Sequence, residues 1–343
     1  MSAKTPSGRR LRVLESLVEP RPTTNPYLVQ LTEALNSVDE LDIAYFTYRR
    51  AILGRYDVLH IHWPELLMGG HRPIGRAVRR SLSALLVLRL RLTRVAVVRT
   101  WHNVEPPSGL ARIDYAILRA LENRTTLRIN LNSVEPPSEV PSVVILHGDY
   151  RQWFEPFPQA DPQIGHIAYV GLVRRYKGIE SLVEAFASTS DPGLTLAVSG
   201  KPSTTDIAVS IARLADADAR ITFAPDFLSE SELVRAITLS EVVVLPYRNM
   251  HNSGTVLACL SLARCVLVPD TVVNRSLQVE VGSDWVRLFT GTISPADVED
   301  AVAAVRGRRP DSQPDLSARG WQSVGTHHFE AFRRAVELVR KTR

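Results

Sequence analysis

Short β-branched runs alternate with helix-period stretches from one end of the chain to the other, in two successive sets. The first set has runs at 11–17 (LRVLESL), 41–46 (LDIAYF), 57–62 (DVLHIH), 95–100 (VAVVRT) and 126–131 (TLRINL), with helical patterns near 26–37, 74–92 and 110–123. The second has IAYVG at 167–171, LTLAVSG at 194–200, ITFAP at 221–225, EVVVLP at 241–246 and CVLVP at 265–269, with helices expected over 178–189, 204–215, 229–239 and 254–263. Strands kept apart by helices pair in parallel, and a parallel sheet needs helices on both faces. The pattern predicts an α/β chain of two doubly wound, Rossmann-like domains facing a central cleft, with ligands at the carboxyl ends of the strands. The first domain is expected over 1–150 and the second over 165–325. The stretch 151–165, rich in Pro and Gln and without period, reads as the linker. The last helical stretch, about 317–342, follows the second sheet, and its part from about 325 onward is a candidate to cross back to the first domain.

Composition narrows the function. With 45% hydrophobic and 22% charged residues among 343, the chain can bury full cores, which excludes disorder and coiled coil. Arg89 and Arg91 interrupt the longest apolar run before it reaches the roughly 18 residues of a spanning helix. Cys259 and Cys265 are the only cysteines, too few for a disulfide framework or a multi-cysteine metal site, and no apolar leader follows the basic start. A cytoplasmic protein is expected, with the inner face of the plasma membrane as an option. Residues 1–160 carry 21 Arg and Lys against 15 Asp and Glu, whereas 161–343 carry 20 against 21. A basic first half suits an anionic surface. No basic run interleaved with aromatics points to nucleic acid. The segment 71–94, HRPIGRAVRRSLSALLVLRLRLTR, reads equally as an interfacial helix on anionic lipid or as a sheet-packing helix with arginines at its ends.

The chemistry-bearing motifs of the second half are local. Gly171-Leu-Val-Arg174-Arg-Tyr-Lys177-Gly178 lies between a strand and a helix. A glycine at a strand end admits a ligand close to the backbone, and the two cations can neutralise a diphosphate. Downstream, Asn252-Ser253-Gly254-Thr255 opens an apolar helix whose free amides and dipole favour phosphate; an ordinary Ser cap explains the same residues.

Together YVGLVRRYKGIESLVEAF, LAVSGKP and the later VVVLPYR…NSGTV…CVLVP resemble the nucleotide-binding half of GT-B glycosyltransferases related to family four. The resemblance implies that Gly171, Arg174, Lys177, Ser253, Gly254 and Thr255 bind the donor diphosphate, and that Phe227 and Leu228 lie near its nucleobase; Asn252 is a further donor-binding candidate. Family four usually carries two glutamates around this helix start; their places fall on Met250 and Ala258. The Asn-Ser-Gly variant is similar to bacterial exopolysaccharide β-mannosyltransferases of the xanthan type. That implies GDP-mannose as donor and inversion; a lipid-linked glycan is the expected acceptor, and no metal or other cofactor is expected, because Arg174, Lys177 and the helix dipole supply positive charge to the leaving diphosphate.

In the first half, HIHWPE and VVRTWHN end two strands and resemble the same group. A base for an acceptor hydroxyl is sought here, with Glu65 as first choice and His102 as second. His62, Trp63, Trp101 and Asn103 are acceptor-side candidates; the tryptophans either stack on sugar rings or belong to the core. His60 reads as structural. A retaining transferase with another nucleotide sugar, a sugar-nucleotide epimerase and a non-catalytic nucleotide-sugar-binding subunit stay open as alternatives.

Overall fold

The computed structural model describes residues 9–21, 23–70, 72–102, 109–134, 139–248, 250, 252–306 and 312–341. The chain divides into two compact units, residues 1–148 with 319–343, and residues 149–318.

Unit 1 runs β1 (Leu11–Glu15), α1 (Pro26–Asn36), β2 (Leu41–Tyr45), α2 (Tyr48–Leu53), β3 (Val58–Ile61), a 3-10 turn (Pro64–Leu67), α3 (Pro73–Leu92), β4 (Ala96–Trp101), α4 (Arg112–Glu122), β5 (Leu127–Asn130) and β6 (Ser142–Val144). Its six strands form a parallel sheet ordered β2-β1-β3-β4-β5-β6. One face, with Val13, Val58, Ala96, Val98 and Ile129, is buried under α1 and the C-terminal helix; the other, with Leu14, Leu59, Ile61 and Val97, packs on α3 and α4. Asn25 caps α1, its Oδ1 accepting the Tyr27 amide at 3.0 Å, with Pro26 at the first helical position.

Unit 2 runs α5 (Arg151–Phe154), β7 (His166–Val170), α6 (Ile179–Ala187), β8 (Thr195–Ser199), α7 (Thr205–Ala215), β9 (Ile221–Ala224), α8 (Glu230–Leu239), β10 (Val242–Val244), α9 (Gly254–Ser261), β11 (Cys265–Pro269), α10 (Val272–Val281), β12 (Val286–Phe289) and α11 (Pro295–Arg306). Its sheet is parallel, in the order β12-β11-β10-β7-β8-β9. The chain then returns to unit 1 as α12 (Trp321–Lys341), which inserts Val324, Ala331, Phe332 and Ala335 into that unit's core. Gly325 lets α12 approach α1 closely, since a Cβ there would stand 2.6 Å from the Ala34 carbonyl oxygen.

Three details depart from the sequence reading. The supposed linker is part of unit 2: Tyr150 and Phe154 enter its core, and Ala160 and Gln163 hydrogen-bond Thr238 and Leu239. Its prolines stop regular structure without preventing packing. The unit boundaries accordingly fall at 148 and 318. Strand β12 and helices α2, α10 and α11 were not expected; the four-residue strand and six-residue α2 show too few periods to stand out.

Candidate functional site

In unit 2 strand order reverses between β7 and β10, which lie side by side. The loops after these two strands bring the diphosphate candidates together. Gly171 follows β7 with φ of 115°, and a Cβ built there would sit 3.7 Å from both Lys177 Nζ and Thr255 Oγ1. A basic amine and a hydroxyl thus flank one bare stretch of backbone. Lys177 Nζ donates to the Tyr247 hydroxyl at 3.0 Å and lies 4.6 Å from the centre of its ring. Thr255 and Ser253 lie beside the Tyr247 hydroxyl. Ser253 caps α9, its Oγ accepting the Val256 amide at 3.4 Å, so the helix start is in place as expected. Lys177 is buried against a phenol rather than a carboxylate; burial, then the nearby charge of Arg174, lowers its pKa to about 8. A buried cation held this way favours an anionic ligand.

The remaining donor candidates stand differently. Arg174 is exposed and lines a depression of about 610 Å³ with Arg175, Tyr176, Thr204 and Arg248. Asn252 is half-buried just before the cap. Phe227 is 75% exposed after the edge strand β9, while Leu228 packs partly against the unit's core. Met250 and Ala258 are both buried. Tyr247, which joins the two halves of the cluster, was missed; its only sequence signal is its position just past a buried strand.

In unit 1 the reversal lies between β1 and β3, where Glu15 is the register partner of His60. Period-two alternation carries Glu15, His60, His62 and Thr100 to one face, beneath α12. His60 is fully buried, Nδ1 2.9 Å from Glu15 Oε1 and Nε2 2.8 Å from Thr100 Oγ1, with Phe332 and His328 against its ring. It is structural, as expected. His62, expected on the acceptor side, is instead 3% exposed; it reaches Glu15 Oε2 at 3.2 Å through Nε2 and His102 Nε2 at 3.1 Å through Nδ1. Its inward place follows from its parity with Val58 and His60. Half-buried Trp63 stacks on His102 with ring centres 4.0 Å apart and planes inclined by 19°. Trp101 is half-buried, with the guanidinium carbons of Arg99 and Arg128 4.5 and 4.3 Å from its ring centre. Glu65 is half-buried in the 3-10 turn after β3. Asn103 lies outside the described residues.

Electrostatics bind this cluster. Burial alone would raise the Glu15 carboxyl, but attraction to His60 and hydrogen bonds from His60 and His62 bring it down to about 2. Burial lowers His62 and His147 to about 4 each, and holds His102 well below the ordinary histidine range with help from His62 and His147. Glu15, His60 and His62 are donor types a metal accepts, and their ligand atoms lie within 4.8 Å of one another. Each is committed to another member by a hydrogen bond, so a metal would have to displace those bonds in a fully buried interior. The geometry fits a hydrogen-bonded relay better than a metal centre. Glu15 was missed because one acidic residue ending a strand has no local signature.

No family model matches the chain. Over 327 residues it is 38% identical to the GDP-mannose:glycolipid 4-beta-D-mannosyltransferase of Xanthomonas campestris pv. campestris, an alignment covering 95% of this chain and 93% of that protein. Among solved structures, the catalytic domain of starch synthase IV from Arabidopsis thaliana, bound to ADP and acarbose, superposes with a TM-score of 0.63 at 11% identity, covering 96% of this chain and 100% of that one. Anabaena HepE in complex with UDP-glucose gives 0.59 at 11% identity, covering 97% and 99%. At such identities the likeness concerns fold alone, and that fold is GT-B.

Proposed function

The chain belongs to the family of the GDP-mannose:glycolipid 4-β-D-mannosyltransferases, a group of GT-B glycosyltransferases, and we propose that it transfers mannose from GDP-mannose to a glycolipid acceptor with inversion, making a β linkage. The observation that carries the donor half is the convergence of Gly171, Lys177 and Thr255 where β7 and β10 end side by side. Lys177, Arg174 and the α9 N-terminus with Asn252, Ser253 and Gly254 take the diphosphate, and Phe227 and Leu228 take the nucleobase. These groups stabilise the charge that grows on departing GDP, so this reading calls on no metal.

An inverting transfer is one displacement: the acceptor oxygen attacks the anomeric carbon opposite the leaving diphosphate while a base removes its proton. Unit 1 supplies that base. His102 replaces Glu65 as first choice, because Trp63 and His62 hold its ring in one orientation. Trp63, Trp101 and Asn103 remain acceptor-side candidates. A retaining mechanism is disfavoured by buried Met250 and Ala258 at the places of the family-four glutamates. Among the described residues no helix is long and apolar enough to cross a membrane. The outward face of α3, with Ile74, Val78, Leu85, Leu88 and Leu92 exposed beside arginines, suits contact with the anionic cytoplasmic leaflet, where a lipid-linked acceptor resides.

The test is to incubate the chain with GDP-mannose and glycolipids of varied terminal sugar, and to read the product's anomeric proton and carbon by NMR. A β-mannosyl glycolipid and released GDP are expected. An α linkage, or turnover with UDP-sugars in place of GDP-mannose, would overturn the reading.

A further inference from the structure

Glu15 is a carboxylate in the interior of unit 1, ringed by imidazoles, where an apolar side chain would be the ordinary occupant. A charge so deeply buried is costly unless its partners repay it. Its two oxygens are divided: Oε1 takes His60 Nδ1 at 2.9 Å, and Oε2 takes His62 Nε2 at 3.2 Å. With Glu15 ionised, His62 carries its hydrogen on Nε2 and donates it to the carboxylate. Neutral His62 then has its lone pair on Nδ1, which accepts the Nε2–H of His102 across 3.1 Å. That leaves the lone pair of His102 on Nδ1.

We infer that Glu15 and His62 are positioning residues of a carboxylate–imidazole–imidazole relay that sets the tautomer of His102 and receives the proton His102 takes from the acceptor hydroxyl. The inference rests on the reading of His102 as the base. In the step, the acceptor O–H bond breaks and an Nδ1–H bond forms on His102, while the Nε2 proton of His102 passes to Nδ1 of His62. The acceptor oxygen's electron pair forms the bond to the anomeric carbon, and the pair of the breaking carbon–oxygen bond leaves with GDP. The relay ends as a His62 imidazolium still donating Nε2–H to the Glu15 carboxylate, an ion pair rather than a lone buried cation. Burial, then the neighbouring imidazoles and Arg99, lower the pKa of His102; handing its Nε2 proton to His62, beside the Glu15 carboxylate, places the charge next to an anion. The titratable and charged groups around the relay are His60 from β3, Arg99 from β4, His147 after β6, His328 from α12, and Tyr27 from α1.

The test compares kcat, KM and donor affinity across pH for the full chain and for Glu15→Gln, His62→Gln and His102→Gln. Each variant is expected to lose about 10²–10⁴-fold in kcat with GDP affinity unchanged. In Glu15→Gln the acid limb of kcat/KM moves to lower pH, because no anion supports protonation. The Glu15→Gln/His102→Gln double variant falls no further than His102→Gln alone. If Glu15→Gln does not fold, His62→Gln, which leaves the Glu15–His60 pair in place, is read for the same kcat loss and acid-limb shift. An inactive His102→Gln beside folded Glu15→Gln or His62→Gln enzymes with full kcat and an unmoved acid limb would overturn the relay while leaving the base. Full turnover in His102→Gln would remove the base itself, and the relay with it.

Discussion

Lys177 joins sequence and chemistry most directly. It was legible because Gly171 and Lys177 share one short stretch between a strand and a helix, so local spacing alone aims them at a common ligand. Removing a charge-assisted hydrogen bond of about 1.5–3 kcal/mol should weaken GDP binding about tenfold or more in Lys177→Ala, measured by calorimetry. The amine must be protonated to bind a diphosphate, and in the free protein it loses its proton near pH 8. GDP affinity should therefore be level below that pH and fall above it, by up to about tenfold per unit, as binding takes up a proton. In Lys177→Arg, whose guanidinium stays charged, that decline should disappear; an identical decline would mean another group titrates. Glu15 is the opposite case. Nothing within ten residues of it announces a site, and its meaning appears only beside His60 and His62.

Helix α3 packs on its unit's sheet and also turns an apolar face outward beside arginines, the two features its sequence allowed. Ser83, Leu86, Val87 and Leu90 pack inward, while Ile74, Val78, Leu85, Leu88 and Leu92 follow the helical period along the outward face. Arg80 is bound to Asp114 at 2.7 Å through both Nε and Nη2, which leaves Arg72, Arg76 and Arg79 as exposed cations at the start of the helix, available for lipid. Replacing these three with Gln should reduce co-sedimentation with anionic vesicles, and wild-type binding should weaken as salt rises. No vesicle binding by the wild type at low salt would count against membrane contact. The start of α1 is a purely structural counterpart: Asn25→Ala should cost about 1 kcal/mol in denaturant unfolding, with donor affinity unaltered.

The two units share the chain unequally, since unit 1 is completed by its last twenty-odd residues. Phe332 is fully buried against His60 and the unit 1 sheet. Phe332→Ala should destabilise unit 1 by about 3–5 kcal/mol, seen as an earlier thermal transition. Unit 2 holds the diphosphate cluster within itself, so GDP should still raise the temperature of its own transition. A single transition lowered as a whole would show that the units unfold together.

The alternation of strand and helix, its grouping into two sets and the candidate diphosphate stretch were all legible in the sequence alone, because each depends on period or spacing within a few turns of chain. The order of strands was not. Which strand lies beside which is decided by burying the faces of elements remote from one another, and neither β-branched runs nor helical periods specify a neighbour. Only that order sets β7 against β10, so that Lys177 meets Thr255, and β1 against β3, so that Glu15 meets His60 and His62. The return of α12 was suspected from its position in the chain, but its seat under the first sheet depends on Gly325 and Phe332 finding Ala34 and His60, contacts hundreds of residues apart. The proposed donor site was readable because each of its two stretches, 171–178 and 252–255, is local in sequence; the proposed relay was hidden because its members become neighbours only when the sheet forms.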